Sequence, residues 1–150
     1  MFQEHVCHIR GISFSPNGRS LISGTDEPSV WIWNLRDGSS KVVHGGTGFL
    51  ISAAFSPDGL YVAGGNFDGS LWIWDSRRYT PVAKWWGHTD CVRRIEFSPG
   101  GKLLMSGSDD GTVKCWDMTL LGSDSEPQSF PEISGHTLRF FLVSLIPHVN

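Results

Sequence analysis

Three residues in the segment 87–117, GHTDCVRRIEFSPGGKLLMSGSDDGTVKCWD, carry the side chains of a serine hydrolase: His88, Ser106 and Asp110. Such a hydrolase uses an imidazole to take the proton of an exposed hydroxyl, a carboxylate to orient the imidazole, and backbone donors to hold the developing oxyanion. No GxSxG elbow surrounds Ser106, and no neighbouring segment announces an oxyanion hole. His88 and Cys91 also suit a zinc ion, but no second ligand pair follows at ligand spacing. Gly45, Gly46 and Gly48 follow an apolar run without the lysine of a phosphate loop or the spacing of a dinucleotide fingerprint. They read as a loop, and the residues call for no cofactor.

The elements that position these residues recur. ISFSPNG (12–18), AAFSPDG (53–59) and IEFSPGG (95–101) are one unit written three times, as are SVWIWN (29–34), SLWIWD (70–75) and TVKCWD (112–117). Phe14, Phe55 and Phe97 are separated by 41 and 42 residues, and so are Trp33, Trp74 and Trp116. Two landmarks with one period mark a repeat architecture. In each copy a short alternating run reads as a strand, Ser-Pro with glycine breaks it, a second run follows, and Asp-Gly closes a hairpin to a third. PVAKWW supplies a fourth strand in the second copy. Four antiparallel strands in about 42 residues make one propeller-type blade.

These units resemble WD repeats. The dipeptide that closes the third strand is Trp74-Asp75 and Trp116-Asp117, with Trp33-Asn34 as a variant, and Gly-His precedes the repeat at Gly87-His88 and Gly135-His136. The resemblance implies an all-β fold: a partial WD-repeat β-propeller, three four-stranded blades plus the first strand of a fourth. It divides the chain into repeats at about 5–44, 45–86 and 87–134, with a fourth beginning at 135–150.

The resemblance also recasts the opening triad. In WD repeats the histidine, the hydroxyl of strand two, the hairpin aspartate and the tryptophan of strand three form a buried hydrogen-bond chain. In the third copy these are His88, Ser106, Asp110 and Trp116. In the first they are His5, Ser23, Glu27 and Trp33, with Pro28 in place of the turn glycine, so a distorted turn is expected. The second copy has Gly46 and Gly64 for the histidine and serine and keeps Asp68 and Trp74. Its broken chain predicts the least rigid blade. A set that recurs and decays between copies belongs to the scaffold and not to catalysis.

The family's usual binding rim joins the strand-two/strand-three turn to the loop leading into strand one. Here that places Asp26, Phe67 and Asp109 in the turns, and Gly48, Phe49, Asp90, Cys91 and Arg93 beside them. Phe67, aromatic in a polar turn, is either a peptide anchor or locally packed. Trp31 and Trp72 stand where the third copy has Lys114 and read as inter-blade packing. Arg77-Arg78 and Arg93-Arg94 read as solvated.

Composition limits the partners. The chain has 150 residues, is 39% hydrophobic and 18% charged, and carries a net charge of −3. It can build a core, and it lacks the basic footprint of a nucleic-acid binder. The longest apolar run, FFLVSLI (140–146), is too short to cross a bilayer. Cys7, Cys91 and Cys115 are an odd set without a CxxC pair and read as reduced thiols inside the cell. The N-terminal residues show no signal-peptide pattern. The expected partners are proteins or peptides, without direct nucleic-acid or membrane binding, and an arc of blades needs further blades or self-association to cover its ends. The segments 34–43, 56–66 and 120–133 further resemble the propeller of Tup/Groucho-type transcriptional corepressors, which implies a nuclear role. A substrate receptor such as a ubiquitin-ligase adaptor, or another signalling scaffold, is the alternative.

Overall fold

The structure, a computed structural model, describes residues 7–44 and 48–121 and the backbone of 133–134. Its regular elements are twelve strands and one 3-10 turn at Met118–Leu120. Strands β1 (Ile9–Phe14), β2 (Ser20–Thr25), β3 (Ser29–Asn34) and β4 (Ser40–His44) form the first antiparallel sheet. The second comprises β5 (Leu50–Phe55), β6 (Tyr61–Asn66), β7 (Ser70–Asp75) and β8 (Pro81–Trp86). The third comprises β9 (Val92–Phe97), β10 (Leu103–Ser108), β11 (Thr112–Asp117) and β12 (Ile133–Ser134). Each sheet is a simple meander in chain order. His5, Gly46, the Gly135-His136 pair and the fourth-unit strand expected after it lie outside the described residues.

The turns follow from local chemistry. At the β1–β2 turn the Ser15 hydroxyl accepts from the Ser20 N–H at 2.8 Å, while Gly18 takes a φ of 65° that glycine adopts without strain. Ser56 and Ser98 repeat the bond in the other sheets at 2.9 and 3.1 Å. After strand three the closing Asn or Asp caps the next turn: Asn34 accepts from the Arg36 N–H, Asp75 from those of Arg77 and Arg78, and Asp117 from that of Thr119. The second half of the Trp-Asp signature is therefore a turn cap.

The core lies between sheets. Ile22, Val30, Ile32 and Val43 of the first sheet bury against Leu50, Ala53, Val62 and Trp74 of the second. Ala63, Leu71, Ile73 and Trp85 of the second bury against Val92, Ile95, Leu104 and Trp116 of the third. The same sequence positions supply each layer, so the repeat is also a repeat of interfaces. Trp72 stacks on Trp74 at 6.0 Å and packs against the first of these layers. In the first sheet Trp31 stacks on Trp33 at 5.6 Å. Of the outer pair, Trp85 is buried and Trp86 exposed, with the Lys84 ammonium 4.2 Å over the Trp86 ring.

Every first strand carries a bulge at one place. Ile9 opposes Thr25 and Gly11 opposes Gly24, leaving Arg10 as the extra residue. Ile51 and Arg93 are the extra residues in β5 and β9. A bulge re-aims its side chain.

Candidate functional site

In the third sheet the four tetrad residues form one chain. His88 Nδ1 lies 2.8 Å from Asp110 Oδ2, His88 Nε2 lies 2.7 Å from Ser106 Oγ, and the Trp116 indole N–H donates to Ser106 Oγ at 2.8 Å. The indole can only donate, so the Ser106 hydroxyl accepts from it and is free to donate to Nε2. Nδ1–H then faces the carboxylate. Strand pairing sets the spacing: β10 and β11 lie side by side, and the hairpin between them brings Asp110 back over the His88 loop. Gly87 is required beside them, because a Cβ there would stand 2.4 Å from the Trp116 ring.

Two further residues complete the site. The Thr112 hydroxyl donates to Asp110 Oδ1 at 2.7 Å and lies 3.1 Å from His88 Nδ1, and the Thr89 N–H donates to Asp110 at 3.1 Å. Burial alone would push the Asp110 carboxyl up. The bonds from Thr112, His88 and Thr89 outweigh it and hold the group far below the usual carboxylate range. A signal for Thr112 was present in the sequence, since Ser29, Ser70 and Thr112 put a hydroxyl at the same position in all three copies.

The connectivity Ser–His–Asp is that of a hydrolase, but the surroundings are not. Ser106 is 1% exposed, and its oxygen is shared between the indole and the imidazole. A nucleophile needs open space and oxyanion donors. Both nitrogens of His88 are engaged within the network, and among the described residues no His, Cys, Asp or Glu cluster could hold a metal.

The other copies differ in graded steps. In the first, the Trp33 indole donates to Ser23 Oγ at 2.8 Å. Glu27 is half-buried, and its backbone makes a distorted turn: its carbonyl accepts from Ser29 N–H at 2.8 Å, because Pro28 has no N–H and cannot take the positive φ seen at Gly69 and Gly111. In the second, Asp68 accepts from the Ser70 N–H at 3.0 Å and from its hydroxyl at 2.5 Å. Across from it the Trp74 indole N–H is buried without a hydrogen-bond partner. The space of the absent serine is filled with hydrocarbon, since a Cβ on Gly64 would lie 2.4 Å from Leu50 Cδ1 and 2.8 Å from the Trp74 ring.

The bulge residues and the hairpin turns meet on one rim. In the first sheet Arg10 chelates Asp26 at 2.6 and 3.0 Å, with His8 Nδ1 3.0 Å from the same carboxylate. In the third sheet Arg93 Nε lies 2.7 Å from Asp109 Oδ2, so Arg93 is ion-paired rather than simply solvated. The guanidinium holds each carboxyl below its ordinary value. Asp90 is exposed and accepts from the Cys91 N–H at 2.7 Å. In the second sheet the same slots hold Ile51, Phe67 and Phe49. The Phe67 N–H donates to the Phe49 carbonyl at 2.9 Å, the two rings lie 6.1 Å apart, and both are exposed. Sequence reading found Phe67 and Phe49 separately. It missed that they form one aromatic pair where the flanking sheets carry ion pairs, and it left Arg10 out.

Three four-stranded meanders packed face to face, with first strands adjacent and hairpin turns on a common rim, are blades of a β-propeller. A profile of the WD40 family (WD domain, G-beta repeat) matches residues 1–34, 39–75 and 79–117. The chain belongs to the WD40 repeat family. Among solved structures it is similar to U3-55K and to the WD40 repeats of RRP9, each at 23% identity with a TM-score of 0.82. These alignments cover 91% of this chain but only 42% and 41% of theirs, so the chain spans less than half the length of those relatives. No curated protein sequence matches it. In all, 1292 solved chains match the fold, too many for the fold to assign a partner.

Proposed function

We propose that the chain is a non-enzymatic protein-interaction scaffold whose rim presents an apolar anchor site, Phe49 and Phe67, between two Arg–Asp pairs. The observation that carries this reading is the replacement at equivalent slots: two blades close the rim with an ion pair, and the blade between them exposes two aromatic rings. Each guanidinium is more exposed than the carboxylate it holds, so the flanks offer their positive ends. The occupant that fits is a peptide segment with an aromatic or branched aliphatic side chain next to acidic residues.

Selection from a displayed random-peptide library tests it. The chain should enrich such a consensus, and Phe67→Ser should abolish the enrichment while the melting temperature stays unchanged. Binders indifferent to both Phe67 and Phe49 would refute the rim reading. The narrower corepressor role, with nuclear residence, rests on the order of segments 34–43, 56–66 and 120–133. Neither U3-55K nor the RRP9 repeats lend it support, and the adaptor role has no more behind it. Copurification with histone deacetylase complexes would favour the corepressor reading, and a strictly cytosolic protein would remove it.

A further inference from the structure

The seam between the first two blades opens into a cavity of about 770 Å³ at the end of the sheets opposite the rim. The β1–β2 turn brings Arg19 to it, the β3–β4 turn Asn34 and Arg36, β4 Lys41, and the β7–β8 turn of the second blade Tyr79, with Ile32 also in the wall. That volume is in the range of ligand pockets. The walls hold three cationic side chains and no carboxylate. Asp37, in the same turn as Arg36, is engaged by the turn itself: it accepts from Asn34 Nδ2 at 3.1 Å and from the Ser39 N–H and hydroxyl at 2.9 and 2.6 Å. Among the described residues Arg19, Arg36 and Lys41 make no ion pair, although the chain pairs Arg10 and Arg93 with carboxylates at the rim.

The equivalent place in the next seam is built differently. Leu60 stands for Arg19, and Ala83, opposite Ile73 as Lys41 is opposite Ile32, stands for Lys41. Arg77 keeps the charge of Arg36, but Asp75 replaces Asn34 and cancels it. Leu121 stands for Tyr79 and packs on the apolar layer of that seam. One seam thus gathers three cations where the other is neutral. Tyr79 adds a second, independent sign. It holds a φ of 58°, the left-handed conformation that Gly38 takes at the same place in the first blade, and a side chain is strained there. The strained turn lays the Tyr79 ring against the core of the first seam, with the Lys41 ammonium 5.1 Å above it.

We propose that this cavity receives a phosphorylated serine or threonine side chain of a protein partner. Two guanidiniums and an ammonium, with no carboxylate in the wall to compensate them, suit a dianion with three terminal oxygens. The three cations stand exposed on turns and an outer strand, so a ligand reaches them from solvent. The cavity holds more than a bare phosphate, and Ile32 and Tyr79 give the peptide that carries it an apolar wall. The site is separate from the aromatic pair of the rim and stands or falls without it.

Selection on the 150-residue chain from a degenerate phosphoserine and phosphothreonine peptide library, followed by fluorescence anisotropy of the best peptide and its unphosphorylated twin, tests this. The phosphorylated form should bind about tenfold tighter or more, the worth of one charge-assisted hydrogen bond. Arg19→Leu with Lys41→Ala, the residues the next seam carries, should remove that difference with the melting temperature unchanged, and Phe67→Ser should leave it intact. Arg19→Gln alone, on an exposed turn, does not depend on the double variant folding and should weaken the phosphorylated peptide severalfold without affecting its twin. Equal binding of the two peptides overturns the proposal. So does a preference that survives loss of Arg19 and Lys41, one that Phe67→Ser abolishes, or inorganic phosphate binding as tightly as the peptide, which would leave only a bare anion site.

Discussion

At the residue scale, the polar chain of the third blade works because every member has a partner. Ser106→Ala would strand the Trp116 N–H and His88 Nε2 in a buried site, and leaving buried groups unpaired costs roughly 1–3 kcal/mol. Urea unfolding should show that loss, and a serine-reactive fluorophosphonate should leave the native protein unlabelled at Ser106. Asp110 adds a pH dependence. Its folded carboxyl binds a proton far more weakly than an unfolded one, so its contribution is complete above about pH 4 and drains away as the pH falls below that. Asp110→Asn should therefore lower the melting temperature at neutral pH and flatten its decline between about pH 4 and pH 2. The second blade tests the opposite case. Serine at position 64 restores the family pattern on paper, yet its Cβ would meet Leu50 and the Trp74 ring. Gly64→Ser should destabilise by about 1–3 kcal/mol, as overpacking does, and a rise in the urea midpoint would contradict the packing argument. The tetrad of the third blade was legible through the WD-repeat resemblance, which assigns His88, Ser106, Asp110 and Trp116 to one hydrogen-bond chain; of the four types only the tryptophan recurs in every copy. The filling of the second blade's gap by Leu50 was not, because that contact depends on side-chain volume meeting across two strands.

At the scale of the element, the meanders could be read from alternation and turn residues, while the bulges could not. CVRRIEF alternates well enough to be a strand, but nothing in it says that Arg93 is the residue left over against β10. That one extra residue turns Arg93 to the rim and explains why Arg93 and Asp109, 16 apart, form a pair. The two hairpin glycines show how an element takes its meaning from its neighbours. Gly69 and Gly111 have nearly the same φ, 83° and 82°, and either would be strained by a side chain. Among the described residues nothing lies within 4 Å of a Cβ on Gly111, whereas one on Gly69 would lie 2.5 Å from the His88 carbonyl oxygen. Gly111→Ala should therefore cost only the left-handed penalty, about 1–2 kcal/mol. Gly69→Ala should cost measurably more, because the loop bearing His88 must move. Equal losses in paired urea titrations would mean that the turn of the second blade does not brace the polar chain of the third.

At the scale of the whole molecule, sequence logic and packing logic rank the blades in opposite orders. The second blade lacks the histidine and serine of its polar chain, which by itself marks it as the loosest. Yet among the described residues it is also the blade with a buried layer on both faces, Leu50, Ala53 and Val62 toward the first and Ala63, Leu71 and Ile73 toward the third. Backbone bonds cross both seams: the Phe55 N–H reaches Ser13 Oγ at 3.4 Å, and the Ile95 N–H reaches Ser52 Oγ at 3.1 Å. Burying one large aliphatic side chain is worth roughly 1.5–3 kcal/mol, and a typical hydrogen bond about 1 kcal/mol net. Two apolar layers therefore outweigh one incomplete polar chain. Native-state hydrogen exchange should find the slowest amides in β6 and β7, ahead of β2–β3 and β10–β11. Leu50→Ala, which opens the first seam at a cost of about 2–5 kcal/mol, should speed exchange in the first and second blades together and leave the ordering within the third unchanged. Fastest exchange in the second blade would instead show that each blade's internal hydrogen bonds, and not the seams, set the stability of the arc.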